Sequence, residues 1–143
     1  MNINQYITIF KALSDYTRLR IMNILIRSNK ELCVCEIMDS LQEFQYNVSR
    51  HLKELKIAGL VKERKDGKWI FYSLAETKGS PLKAILQSVK SIPEEIFLMD
   101  TERLKARLSL REGEKCVIGL ESKEWQRIRN QLLKGGKQHV QKA

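Results

Sequence analysis

Residues 45–74 read QYNVSRHLKELKIAGLVKERKDGKWIFYSL. The first half keeps a helical period. Val48, Leu52 and Leu55 stand at i, i+4 and i+7, and Gly59 occupies the place where a helix commonly stops in the left-handed region. The second half changes period. LVKERK and KWIFYSL are two strand-like runs, with Ile70 and Tyr72 alternating with Trp69 and Phe71, and Asp66-Gly67 between them is a hairpin turn signal. A helix passing directly into a basic hairpin decides the fold reading.

Upstream of this stretch the chain is helical. Ile3, Ile7 and Phe10 recur at helical spacing over residues 2–12. Ser14 or Asp15 can cap a second helix, YTRLRIMNILIRS, whose Leu19, Met22 and Ile26 stripe is widened by Ile21 and Leu25. A short third helix is expected over 32–41, with Val34, Ile37, Met38 and Leu41 as its apolar residues. Downstream, Ser80-Pro81 opens a helix with Leu82, Ile85, Leu86 and Val89 on one face, and Pro93 opens another that runs to about Leu110. The link EKCVIG leads to a last helix around 122–134, carrying Trp125, Ile128 and Leu132 and ended by Gly135-Gly136. The predicted fold is mainly α with a small β-hairpin. It is a winged helix-turn-helix with extra C-terminal helices: a DNA-binding and dimerisation domain over 1–91 and a helical extension over 92–143.

Composition agrees with a polyanionic partner. Lys and Arg number 26 against 17 acids in 143 residues, a net charge of +9. The excess is local as well. Arg50, Lys53, Lys56, Lys62, Arg64, Lys65 and Lys68 face only three acids over residues 44–72. With Val48, Leu52 and Leu55 turned inward, Gln45, Tyr46, Asn47, Ser49, Arg50 and Lys53 occupy the outer side of the fourth helix. Gln and Arg there suit bidentate contact with adenine and guanine. Lys65 and Lys68 flank the hairpin turn, where a wing tip meets the phosphate backbone. His51 contacts either a phosphate or the neighbouring helix. The chemistry of an enzyme is missing from the pattern: no nucleophile–base pair, phosphate-cradling glycine loop or paired carboxylates occur at a recognisable spacing. The longest apolar runs are too short for a membrane span, and the N-terminus MNINQYITIF carries no charged leader. A cytoplasmic protein is expected.

Three cysteines, Cys33, Cys35 and Cys116, do not form a secreted disulfide framework. In a reducing compartment such thiols bind soft ions or sense redox state. On a regular helix, positions i and i+2 point about 200° apart. Cys33 and Cys35 in ELCVCEIM (31–38) therefore hold one atom only if the helix start is unwound or distorted. Such a distortion, passed through Ile37 and Leu41 to residues 45–53, would link ligand capture to DNA release.

LSDYTRLRIMNIL resembles the second-helix signature of the arsenic-repressor (ArsR/SmtB) family. The 45–74 stretch is similar to its recognition helix plus wing, and ELCVCEIM resembles its arsenite- and antimonite-sensing metal box. The similarity spans roughly residues 5–90. It implies a homodimeric, cytoplasmic repressor bound to an inverted-repeat DNA operator and released by As(III) or Sb(III), with no resident cofactor. In the family, dimerisation uses the first and the post-wing helices, which the Ile3/Ile7/Phe10, Leu82–Val89 and Ile96–Leu108 stripes would supply unless they complete one core. The family's zinc sensors carry His and Asp on the post-wing helix, absent from SPLKAILQSVKS. Its cadmium and lead sensors add cysteines near the N-terminus, absent before Cys33. The family's C-x-C-x-x-C box has Met38 in its third position here, which reads as core. Cys116 is then either the third ligand, from the same or the partner subunit, or a small buried apolar residue. The alternative input is oxidation of the same thiols in a redox-sensing winged-helix repressor.

Overall fold

The computed structural model describes residues 1–113, 116–117, 119 and 122–142, with 134–142 described by their backbone alone. Helix α1 (Ile3–Leu13) starts at a capping box in which Asn2 and Gln5 bond each other's backbone N–H. Asp15 caps α2 (Tyr16–Ser28) by accepting from the Arg18 N–H, and left-handed Asn29 ends it. Ile21, Met22, Ile24 and Leu25 of α2 are fully buried, each contributing about 1.5–3 kcal/mol of apolar burial. They make α2 the centre of the core.

The helix expected over 32–41 begins differently. Leu32–Cys33 is a short strand, β1, and α3 spans Val34–Leu41. Left-handed Gln42 ends α3, and α4 (Gln45–Ile57) follows. Leu60 N–H then closes back on the Leu55 carbonyl at the left-handed Gly59. The hairpin pairs β2 (Val61–Asp66) with β3 (Trp69–Leu74). Asp66 pairs with Trp69, so the two turn residues are Gly67 and Lys68, one position later than Asp66-Gly67. Gly67, with φ 59°, supplies the positive backbone angle that this turn needs. β1 adds antiparallel to the free edge of β3, giving a three-stranded sheet of order β1-β3-β2.

Helix α5 (Leu82–Lys90) buries Leu82, Ile85, Leu86 and Val89 in the chain's own core. The helix expected from Pro93 opens as a 3-10 turn, Glu94–Phe97, before α6 (Leu98–Leu108). α6 packs along α3, and α7 (Lys123–Lys142) packs on α6. α7 runs through Gly135-Gly136 instead of ending there; its Trp125 is buried. No helix among the described residues is long and apolar enough to cross a membrane.

Ile3, Ile7 and Phe10 are exposed by 69%, 43% and 56%, because α1 turns Ile9 and Ala12 into the core instead. The first apolar stripe thus does not complete the chain's own core, whereas the Leu82–Val89 stripe does. Ile96 and Leu98 are also exposed, while Leu104 is buried.

Candidate thiol site and nucleic-acid interface

Pairing of Cys33 with Phe71 holds Cys33 in an extended conformation, φ −78° and ψ 159°, at the N-cap of α3. Cys35 lies one turn position into that helix. The change from strand to helix between them removes the obstacle that a regular helix would pose. Their sulfurs are 2.7 Å apart with no distortion of α3. Cys116 arrives from the far side of α6, its Sγ 3.0 Å from that of Cys33 and 3.7 Å from that of Cys35. All three are free thiols, exposed by 1%, 6% and 4%. One chain therefore gathers the whole trio, with Phe71 and Trp69 packed around it. Met38 is half-buried and packs against the main core.

Among the described His, Cys, Asp and Glu side chains, the ligand atoms gathered at this point are the three sulfurs. A three-sulfur site with bonds of about 2.3 Å has edges of about 3.5–4 Å, so a small opening of the two shorter edges lets it hold one ion. Hydrogen bonding to Cys116 and then to Cys35, with burial, pushes the Cys33 thiol well above its ordinary range. The Cys35 thiol is raised too, chiefly by its hydrogen bond with Cys116 and by burial. Cys33 and Cys35 are therefore held as neutral thiols.

Charged groups that the sequence reading did not single out frame the trio. Glu36 is fully buried. Its Oε1 accepts from the Cys33 N–H at 3.0 Å, and its two oxygens accept from Arg111 Nη2 and Nε at 2.6 and 2.7 Å. Arg111 also donates to the Glu31 carbonyl. One helical turn back, fully buried Arg107 donates to Asp39 at 2.8 Å, and a further turn back Arg103 donates to the Ser40 carbonyl at 2.7 Å. Arg103, Arg107 and Arg111 thus bind α3 from end to end. Their four-residue spacing, and a Glu placed three residues after a cap, were the available signals.

The second surface is the outer side of α4 with the hairpin tip. Gln45, Tyr46, Ser49, Arg50 and Lys53 are exposed along α4, and Lys65 and Lys68 at the turn. Asn47 is half-buried and reaches toward Glu43 at 3.5 Å. Of the two contacts open to His51, a phosphate or the neighbouring helix, the structure shows the helix. His51 is 6% exposed, and its Nδ1 lies 3.1 Å from Arg18 Nη1 and 3.8 Å from Asp15 Oδ1. An acceptor at Nδ1 facing a guanidinium makes it a neutral brace between α4 and α2, and burial holds its pKa below the ordinary imidazole range. His139 lies outside the described side chains, as do Glu114, Lys115 and Ile118 of the EKCVIG link.

This arrangement of helix-turn-helix, basic wing and buried thiols defines a DNA-binding transcriptional regulator of the winged-helix class. Residues 15–63 match the profile described as "Bacterial regulatory protein, arsR family". The chain is 38% identical over 96 residues to the Arsenic resistance transcriptional regulator ArsR1 of Pseudomonas putida, covering 67% of this chain and 74% of that protein. It is 37% identical over 94 residues to the Cadmium resistance transcriptional regulatory protein CadC homolog of Staphylococcus aureus, covering 66% and 69%. In structure it is similar to the homodimeric winged helix-turn-helix DNA-binding domain of Mb0332 from Mycobacterium bovis. That match has a TM-score of 0.53 at 28% identity and covers 64% of this chain and 85% of that one. The chain belongs to the arsR family of bacterial regulatory proteins, and is a DNA-binding repressor and not an enzyme.

Proposed function

We propose that the protein is a homodimeric cytoplasmic repressor, released from an inverted-repeat operator when As(III) or Sb(III) binds Cys33, Cys35 and Cys116. The observation that carries this reading is the meeting of three buried sulfurs, which no His, Asp or Glu among the described residues joins. Relatives named for arsenic and for cadmium both align, so the choice of ion rests on the donor set. Trivalent arsenic takes three thiolates in a pyramid, its lone pair filling the fourth direction, whereas zinc prefers four donors. Proton balance points the same way. Arsenous acid and three thiols give three As–S bonds and three waters, with no proton released. A divalent ion instead displaces up to three protons and leaves net negative charge in a buried site. Between about pH 6 and 8, arsenite affinity is expected to stay nearly flat, while cadmium affinity climbs up to about a thousandfold per pH unit if all three protons leave. Competition titrations at several pH values check this.

On DNA, α4 enters the major groove. Gln45, Tyr46, Asn47, Ser49, Arg50 and Lys53 face the bases and their flanking phosphates, and Lys65 and Lys68 touch the backbone. The exposed Ile3, Ile7 and Phe10 stripe is apolar surface for a second copy, in keeping with the homodimeric domain it resembles. The test is affinity for an operator duplex selected from a random pool, measured with and without arsenite. Wild type is expected to lose affinity on arsenite addition; Cys33→Ser, Cys35→Ser and Cys116→Ser are each expected to keep it. Variants that still respond would overturn the assignment. The 3.0 Å approach of Cys33 and Cys116 favours a second reading, in which an oxidant joins them as a disulfide. Release by peroxide but not by arsenite would select it.

A further inference from the structure

A site this enclosed needs a route for its ligand, and the described residues show one. A cavity of about 330 Å³ is lined by the buried Cys33 and Cys35 and by half-buried Met38 and Trp69. Gln45 and Ser49 of α4 and Lys68 of the hairpin, all exposed, line it as well and mark its mouth. Cys116 is not in its wall. The same side chains that border the cavity's mouth belong to the surface assigned above to DNA.

We propose that this cavity is the vestibule by which the neutral trihydroxide of arsenic or antimony reaches Cys33 and Cys35, and that operator DNA roofs it. The inference rests on the function proposed above. Each capture step forms one As–S bond and breaks one As–O bond; the thiol proton leaves with the hydroxide as water, and arsenic stays trivalent. Cys33 and Cys35 react first because they meet the cavity, and Cys116 closes the site. Duplex lying across α4 and Lys68 covers the mouth. Inducer therefore captures repressor that has left the operator, and occupancy of the trio then opposes return.

The test is stopped-flow tryptophan fluorescence, with Trp69 in the cavity wall as reporter. Arsenite is mixed with free protein or with protein saturated by operator duplex. Free protein is expected to react at a rate that rises linearly with arsenite. The complex is expected to reach a plateau equal to the operator dissociation rate, measured separately by competitor chase. Equal slopes for free protein and complex would overturn the proposal. Ser49→Trp fills the mouth from an exposed position on α4. It is expected to slow capture by free protein at least tenfold with equilibrium affinity for arsenite unchanged. An unchanged rate would also count against the vestibule. Failure of free wild-type protein to capture arsenite at all would instead contradict the proposed function, and is read before operator is added.

Discussion

Helix α3 is held in two ways. Toward α4 its contacts are apolar: Ile37 and Leu41 share one core cluster with Val48, Leu52 and Leu55. Toward α6 they are charged and directional, through Arg111 on Glu36, Arg107 on Asp39 and Arg103 on the Ser40 carbonyl. Apolar packing fixes distance more than register, since dispersion and burial have little direction. Bidentate guanidinium–carboxylate bonds fix both. α3 is therefore locked in register to the helix that precedes Cys116, and rests on the recognition helix by packing. A pull at the thiol end is expected to move α3 with α6 and to reach α4 through the core.

The largest expected effect lies on the charged side. Arg111→Met leaves the Glu36 carboxylate buried without its cation, and is expected to lower unfolding free energy by about 3–5 kcal/mol in urea titration. The double variant Arg111→Met with Glu36→Leu is expected to lose far less than the sum of the single losses, because neither charge is then stranded. If the losses simply add, the pair is not the unit described. A milder change, Glu36→Gln, tests positioning. Arsenite affinity is expected to fall about 10–100-fold, as for other groups that orient ligands, with operator affinity kept.

On the apolar side effects should be smaller. Ile37→Val is expected to cost about 0.5–1.5 kcal/mol in the same titration, with arsenite affinity unchanged. The smallest effect concerns a polar brace of α4 on α2, His51 against Arg18. A histidine whose folded pKa is depressed contributes stability that is present above its unfolded value and lost as pH falls through the folded one. The urea midpoint should thus drop on acidification below the ordinary imidazole range, and the drop should be absent in His51→Gln.

The legible parts of this molecule are those that local periodicity writes down. α2 was readable to the residue from YTRLRIMNILIRS, and α4 with its Gly59 stop from Val48, Leu52 and Leu55. The wing was readable from Asp66-Gly67, although the turn sits one residue later. Less legible was whatever depends on partners far along the chain. Cys33 is extended because β3, some forty residues on, offers an unpaired edge; helical spacing alone placed it inside α3. The arrival of Cys116 depends on how α6 returns along α3, and the Glu36–Arg111 pair spans 75 residues. For His51 the sequence left a phosphate and the neighbouring helix both open, and only the packing of α4 on α2 chooses the helix.

Arsenic X-ray absorption on the arsenite-loaded protein tests the central claim most directly. Three sulfur neighbours in wild type, falling to two plus an oxygen in Cys116→Ser, is the expected result. Two sulfurs and an oxygen in wild type, unchanged by that substitution, would contradict the three-thiol site.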